Sequence, residues 1–206
     1  MKKYLFTLIL FSIFPLWMKA QTDRTLTENE IENLTEAQIQ SLRKEAANGN
    51  PVAQYNLAFY LDEEGEFEDC NQLISLYTAS ANQGFAPAQA ALGHIYEEGG
   101  CNGDEDLTQA IRWYKKAANQ NDPEGLYRLA DCYLYGKGVT KNHPEGVRLL
   151  KKAADLNYPS AEYLLGLAYE GGWYGLSIDR DEAMKLFRKA AEGGCIGAQI
   201  KLKELK

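Results

Sequence analysis

The sequence predicts an all-α protein: an α-solenoid of about four helix-turn-helix repeats, with a half-repeat cap at each end. The first observation is an alanine that recurs every 35 to 37 residues along the chain. It stands at Ala46, Ala81, Ala118, Ala154 and Ala191. A glycine or asparagine follows three residues after each of these alanines, and a leucine follows eleven residues after each. A period in this range, matched at three positions in every unit, is typical of a helical solenoid.

Each unit begins with a helix, here called helix A. The glycine or asparagine suits a left-handed residue that ends the preceding helix, and a proline follows in the first turn of helix A. The recurring leucine is predicted to be buried, and in the four complete units the residue after it is small enough for a second helix to approach closely. These pairs are Leu57–Ala58, Leu92–Gly93, Leu129–Ala130 and Leu165–Gly166.

The second helix of each unit, helix B, follows a glycine-rich loop and carries its own apolar stripe at helical spacing. Ala110, Trp113, Tyr114 and Ala117 form this stripe in the second unit. One such hairpin cannot bury its apolar face alone, so neighbouring units must stack. The predicted units are residues 46–81, 82–118, 119–154 and 155–191, with a partial unit at 192–206.

Three motifs carry a family resemblance. They are Leu-Gly-x-x-Tyr in helix A (Leu92 to Tyr96, Leu165 to Tyr169), Gly-x-Gly-Val in the loop (Gly136 to Val139) and Ala-x-x-Trp-Tyr-Lys-Lys-Ala-Ala in helix B (Ala110 to Ala118). This pattern resembles Sel1-like repeats, which are relatives of tetratricopeptide repeats with a longer loop between the helices. The resemblance covers roughly 70% of the chain. It departs in the first unit, where Gly65-Glu66-Phe67 replaces the Gly-Val loop, and in the fourth, where residues 173–178 enlarge it.

Residues 1–20 have the layout of a secretory signal peptide. Lys2 and Lys3 precede an apolar run that is too short for a comfortable membrane span, and Ala20 offers a cleavage point. Met18 is larger than the residue usually found there, which leaves retention as an anchor as the alternative. We therefore expect a periplasmic or secreted bacterial protein with no membrane span after cleavage.

The rest of the chain is predicted to form one domain. Residues 21–34 are polar and are expected to be a short, mobile leader. Residues 35–206 are predicted to form a single solenoid. A capping box from Thr35 to Gln38 opens a helix through about Ala47 that covers the first unit. A helix A without its partner closes the chain at residues 197–206.

The charge of the chain excludes two kinds of partner. The formal net charge is −7, and removal of residues 1–20 takes away three lysines and no acids, which gives −10. A nucleic-acid-binding or membrane-surface protein would instead present a basic face. We expect a monomer whose partner is a protein or a peptide.

The four cysteines suggest pairing in an oxidising compartment. Cys132 lies beside the core leucine of its helix and is expected to be a buried thiol. Cys70 and Cys101 belong to the A–B loop regions of adjacent units, and a bridge between them is a hypothesis. The cysteine-rich branch of the family has cysteines at the same offsets in each repeat, a framework that this chain lacks.

Four common catalytic or phosphate-binding motifs are missing from the sequence. They are His-Glu-x-x-His, Cys-x-x-Cys, Gly-x-Ser-x-Gly and a phosphate-binding loop. We therefore expect no enzyme activity, no cofactor and no metal. Two alternatives stay open: a cell-envelope hydrolase of the β-lactam or peptidoglycan type, and a periplasmic immunity or inhibitor protein.

The resemblance implies a binding surface on the concave face, lined by the A helices. The residues predicted to contact the partner there are Tyr55, Phe59, His94, Glu97, Tyr127, Asp131, Tyr135, Tyr163 and Glu170. The tyrosines offer large contact areas and hydroxyl groups, and the acids would select a basic partner. In the alternative interpretation, the tyrosines simply pack between successive A helices. The sequence therefore predicts a scaffold or adaptor that binds a peptide or protein, without chemistry of its own.

Overall fold

The computed structural model describes residues 24–64, 70–100 and 103–204, and within them the chain is helical with no strand. The helices are α1 Glu28–Ile31, α2 Glu36–Ala47, α3 Pro51–Glu64, α4 Cys70–Asn82, α5 Ala86–Glu97, α6 Leu107–Asn119, α7 Pro123–Tyr135, α8 His143–Asp155, α9 Pro159–Gly171, α10 Arg180–Glu192 and α11 Ile196–Glu204. A turn of 3-10 helix at Trp173–Gly175 follows α9. The all-α prediction is confirmed. None of the helices in these ranges is both long and apolar enough to span a membrane.

The chain divides into two compact units, each of which contains more than one repeat. From here on, the first unit is the part that ends at Ala88, the second unit is the part that begins at Gln89, and the helix-turn-helix elements are called repeats. The first unit contains α1 to α4 and the start of α5. The second contains the rest of α5 and the helices α6 to α11. The predicted signal peptide at residues 1–20 lies outside the described residues, as does the first A–B loop at residues 65–69.

The ends of the B helices follow the predicted pattern. The glycine or asparagine after each closing alanine has a positive φ, which ranges from 61° to 93°. The five residues are Gly49, Gly84, Asn121, Asn157 and Gly194. Pro51, Pro123 and Pro159 are the first residues of α3, α7 and α9, where no intrahelical amide bond is lost.

One backbone hydrogen bond closes the A–B loop in the last three repeats. The amide N–H of the residue that precedes helix B donates to the carbonyl of the recurring helix A tyrosine. These bonds are Asp106 to Tyr96 at 2.9 Å, Asn142 to Tyr133 at 2.8 Å and Asp179 to Tyr169 at 2.9 Å. The Asp or Asn side chain of the same residue then accepts from the N–H three residues later and caps helix B. The tyrosine backbone therefore fixes where helix B begins.

The small residues of helix A allow close helix packing, as predicted. A Cβ atom on Gly93 would lie 2.6 Å from the ring of Tyr114, and one on Gly166 would lie 2.7 Å from the ring of Phe187. Tyr114 and Phe187 are buried at equivalent positions of helix B. An aromatic ring thus occupies the space that a glycine leaves free.

A second recurring contact joins helix A to the end of helix B. Gln83 donates to Gln54 at 2.9 Å in the first repeat, and Gln120 donates to Gln89 at 2.8 Å in the second. Both positions become leucine in the third repeat, at Leu126 and Leu156. The partners have changed together, which keeps a polar side chain from facing an apolar one.

The polar leader differs from its prediction over residues 24–34. Leu26 and Ile31 are buried, and α1 includes Ile31. The Leu26 amide donates to Oδ1 of Asn56 at 3.0 Å, and Asn56 Nδ2 donates to the Arg24 carbonyl at 2.8 Å. Two buried apolar side chains and two hydrogen bonds with Asn56 of α3 thus anchor this part of the leader, and its mobility stays a prediction.

The cysteines fall into two groups. Cys132 is buried and Cys195 is half-buried, and both are free thiols. Cys70 is disulfide-bonded. Cys101 lies outside the described residues, so the predicted Cys70–Cys101 pairing stays a prediction.

Candidate partner-binding surface

The structure places the nine predicted contact residues on the four A helices α3, α5, α7 and α9. Tyr55 and Phe59 belong to the first unit, and the other seven residues belong to the second. They differ in what each side chain contacts: four are packed aromatic residues, three are paired acids, Tyr135 is an exposed aromatic, and His94 is half-exposed.

Tyr55 packs inside the first unit. Its ring meets the ring of Tyr77 edge-on at 5.7 Å and the ring of Phe85 edge-on at 5.5 Å. Phe59 lies next to it, with ring centres 6.3 Å apart. These contacts favour a packing role for both residues, because aromatic pairs at such distances stabilise the fold.

Tyr127 and Tyr163 also pack against rings of neighbouring elements. The Tyr127 ring lies 5.4 Å from that of Tyr158, and the Tyr163 ring lies 5.9 Å from that of Phe187. Burial raises the pKa of the Tyr127 hydroxyl, and the negative charge of Asp131 raises it further. Both tyrosines are half-buried, so each leaves only part of its ring for a partner.

Two of the predicted acids belong to an ion-pair network. Lys137, in the loop after α7, places Nζ 2.9 Å from Oε1 of Glu97 and 2.8 Å from Oδ2 of Asp131. The other oxygen of Glu97 accepts a hydrogen bond of 2.6 Å from the hydroxyl of buried Tyr114. The network therefore connects α5, α6, α7 and the loop that follows α7.

The pKa shifts follow from these contacts. Burial alone would raise the pKa of Glu97, but the hydrogen bonds from Tyr114 and Lys137 outweigh it and the pKa is lowered. The hydrogen bond to Asp131, with the one to Glu97, raises the pKa of Lys137. Burial, followed by the bond to Glu97, raises the pKa of Tyr114. Glu97 and Lys137 are therefore charged at neutral pH, and the single positive charge of Lys137 is shared between the carboxylates of Glu97 and Asp131.

The remaining acid of the predicted set is paired as well. Oε2 of Glu170 lies 2.8 Å from Nζ of Lys201 on α11. His94 is half-exposed, with Nδ1 4.0 Å from Glu98. Glu97, Asp131 and Glu170 thus each have a lysine within the chain, which reduces their ability to select a basic partner.

Tyr135, the exposed aromatic residue of the predicted set, lies in a group of aromatic side chains. Tyr135 is 48% exposed and Trp173 is 49% exposed. The Tyr174 hydroxyl donates to the Tyr135 hydroxyl at 2.7 Å, and the two rings meet edge-on. His143 and Trp173 also meet the Tyr174 ring edge-on, at 5.3 Å and 6.4 Å. We call Tyr135, His143, Trp173 and Tyr174 the aromatic cluster.

Backbone strain accompanies the cluster. Tyr174 adopts φ 58° and ψ 25°, a left-handed conformation that tyrosine rarely takes. Such residues persist only where their surroundings hold them, and they concentrate at functional sites. Gly171 contributes to the arrangement, because a Cβ there would lie 2.5 Å from the indole nitrogen of Trp173.

Sequence analysis identified Tyr135 but not the other three members of the cluster. The available signal was the enlarged loop at residues 173–178, which departs from the repeat pattern and contains Trp173 and Tyr174. Burial raises the pKa of Tyr174, and the hydrogen bond to Tyr135 adds to that rise. The Tyr174 hydroxyl therefore stays protonated at neutral pH, and tyrosine hydroxyls can donate to or accept from a peptide backbone.

Within the described ranges, no three His, Cys, Asp or Glu side chains come together in a group that could hold a metal ion. Burial raises the pKa of Cys132 to about 12, so this thiol is protonated and unreactive at neutral pH.

Comparisons with known proteins identify the repeats. The family model of the Sel1 repeat matches residues 51–85, 86–122, 123–158 and 159–195. An uncharacterised protein of Neisseria meningitidis serogroup B is 32% identical over 161 residues, which are 78% of this chain and 33% of that protein. Chitin synthase regulatory factor 4 of Schizosaccharomyces pombe is 30% identical over 195 residues, 84% of this chain and 30% of that protein. The chain thus spans about a third of the length of these relatives.

Solved structures give the same result for the fold. A Sel1 repeat protein from Oxalobacter formigenes superimposes with a TM-score of 0.70 at 27% identity, over 81% of this chain and 68% of that one. The protective antigen c5321 of uropathogenic Escherichia coli gives a TM-score of 0.68 at 30% identity, over 82% of this chain and 36% of that one. Four consecutive matched repeats and the helical architecture show that the chain belongs to the Sel1-repeat family.

Proposed function

We propose that this protein is an exported, non-catalytic scaffold that binds a protein or peptide partner through the aromatic cluster and the adjoining A helices. The observation that carries the proposal is the half-exposure of Tyr135 and Trp173 around a strained Tyr174. Large aromatic side chains with free polar atoms are enriched at the centres of protein interfaces.

The partner is recognised mainly by aromatic contact. A basic partner would have to compete with Lys137 for Glu97 and Asp131, and with Lys201 for Glu170. Tyrosine and tryptophan faces instead accept apolar side chains and peptide groups without displacing an existing ion pair. His143 adds a polar edge to the same surface.

Two further points support the proposal, one for the scaffold role and one for export. Several relatives from Schizosaccharomyces pombe have names that describe them as regulatory factors of chitin synthase, which fits a role without chemistry of its own. The start of the sequence has the features of a signal peptide, which supports export to the periplasm or beyond it.

Affinity capture tests the proposal. Immobilised residues 21–206 are incubated with an envelope extract of the native host, beside a Tyr135→Ala/Trp173→Ala variant. The matched control is Ile196→Ala/Ile200→Ala, which removes two other exposed apolar side chains, on α11. We expect one partner to be captured by the native protein and the control, and lost from the aromatic variant, with equal helicity in all three by circular dichroism.

Three results would contradict parts of the proposal. A partner that the aromatic variant still captures would place the binding surface elsewhere. Hydrolysis of a β-lactam reporter or of peptidoglycan fragments by the purified native protein would contradict the non-catalytic assignment. Cell fractionation that finds the protein only in the cytoplasm would contradict export.

A further inference from the structure

A groove with basic rims lies between two successive B helices of the second unit. Its volume is about 350 Å³. Lys115 of α6 lies on one rim, Arg148 and Lys152 of α8 lie on the other, and the α7 leucines Leu126 and Leu129 lie at its base. We call this feature the basic groove. It shares no residue with the aromatic cluster.

The charge of the groove is unbalanced. Glu145 is its only acidic lining residue, and it forms two hydrogen bonds with Arg148, at 2.8 Å and 2.7 Å. The hydrogen bonds from Arg148 lower the pKa of Glu145, so this pair is fully ionised and neutral overall. Lys115 and Lys152 form no ion pair with any carboxylate that the structure describes. Two uncompensated positive charges therefore face the groove in a chain whose net charge is −7.

The base of the groove is rigid. Leu126 is 1% exposed and Leu129 is 6% exposed, so both belong to the core. The rims are different, because Lys115, Arg148 and Lys152 are exposed side chains on the surfaces of regular helices. The groove is therefore preformed by the repeat architecture, and only its charged side chains need to adjust when a ligand enters.

We propose that the basic groove binds an acidic peptide segment of a protein partner. Carboxylate side chains of the segment would lie between Lys115 and Lys152, and an adjacent apolar side chain would enter toward Leu126 and Leu129. Charge complementarity is the argument, since opposite charges across an interface select the partner and raise its association rate. The groove is open and mostly polar, which fits an extended segment. A scaffold with this groove contacts partners on two separate surfaces.

Fluorescence anisotropy tests this proposal with a labelled hexapeptide, Glu-Leu-Glu-Glu-Leu-Glu, and an analogue in which glutamine replaces every glutamate. We expect the acidic peptide to bind the purified protein and the analogue to bind about tenfold more weakly, the loss expected for two exposed ion pairs. Lys115→Glu/Lys152→Glu should weaken acidic-peptide binding by about tenfold or more for the same reason. Affinity should fall between about 0.02 M and about 0.5 M salt.

The control is Lys141→Glu/Lys203→Glu, which makes the same charge change at two exposed lysines that do not line the groove, and it should leave the affinity unchanged. Equal binding of the two peptides, an unaltered affinity in the double variant, or no binding at about 1 mM peptide would each overturn the proposal. The Tyr135→Ala/Trp173→Ala variant should bind the acidic peptide normally. This separates failure of the groove from failure of the proposed function.

Discussion

The A–B loops of the third and fourth repeats begin and end alike but are held in different ways. In both, the residue before helix B donates its amide to a tyrosine carbonyl, from Asn142 to Tyr133 and from Asp179 to Tyr169. In both, the side chain of that residue caps helix B. The difference lies in the residues between these shared ends.

The third loop is held by charge. Lys137 lies between two carboxylates, and Gly136 and Gly138 adopt the left-handed conformation on either side of it. A side chain at Gly138 would meet Ile111 at 2.7 Å, so this position requires glycine for space as well as for backbone conformation. The Lys137 side chain is directed to carboxylates of its own chain, and the loop offers no exposed large apolar group.

The fourth loop is held by aromatic rings. Tyr174 takes a left-handed conformation without being glycine, and its ring and hydroxyl contact Tyr135 while Trp173 stays half-exposed. The regular loop exposes no large apolar group, whereas the loop that departs from the pattern exposes Trp173 beside Tyr174. We propose that the first loop serves the fold and that the second supplies an interaction surface. The predictions below test this division.

The largest effect is expected at the charged network of the third loop. Glu97→Ala should lower the free energy of unfolding by about 2–3 kcal/mol, because it leaves the buried Tyr114 hydroxyl without its acceptor and Lys137 with one carboxylate fewer. Urea denaturation followed by circular dichroism measures this change.

Glu170→Ala is the matched control, because Glu170 is more exposed than Glu97 and its removal breaks a single ion pair, with Lys201, which should cost about 0.5 kcal/mol. The pH dependence gives a second readout. Folding lowers the pKa of Glu97 from its ordinary value of 4.5, so its stabilisation is full above that pH and is lost as the pH falls below it. The variant should lose this part of the acid sensitivity. Equal losses at Glu97 and Glu170 would show that the network does not hold the loop.

A smaller effect, equal in the two loops, is expected at their shared ends. Asn142→Ala and Asp179→Ala should each lower the free energy of unfolding by about 1 kcal/mol, because each removes a side-chain cap from helix B. Thermal unfolding of both variants measures this, with exposed Lys141→Ala as the neutral control. A much larger loss at one site than at the other would mean that the loops do not share their closure.

Much of the fold could be predicted because each repeat needs particular residue types, either for a left-handed backbone conformation or for a small side chain in the core. Gly49 and Asn121 occupy left-handed positions that few other residues adopt, and Gly93 leaves space that the Tyr114 ring fills. A left-handed residue follows every B helix, and a small residue recurs at the Gly93 position of the four complete repeats, so even one sequence shows these constraints several times.

The surface could not be predicted in the same way. Tyr55 and Tyr135 are both tyrosines at or near predicted concave positions, yet Tyr55 packs against Tyr77 and Phe85 while Tyr135 is exposed. Which one is exposed depends on side chains that are distant in sequence. Lys137 was likewise not predicted as the partner of Glu97, because 40 residues separate them.

The smallest effect on stability, and the clearest separation of fold from binding, is expected at Tyr174. Tyr174→Gly relieves a left-handed strain of about 1–3 kcal/mol but removes the ring contacts and the hydroxyl bond to Tyr135, each worth about 1 kcal/mol. These terms nearly cancel, so the free energy of unfolding should change by less than about 1 kcal/mol, measured by urea denaturation. Partner capture should nevertheless be lost, because Tyr135 and Trp173 no longer have the Tyr174 ring that positions them. Gly138→Ala in the third loop is the converse control: it should destabilise the protein and leave partner capture intact. Retention of the partner by Tyr174→Gly would show that the enlarged loop, like the regular one, serves only the fold.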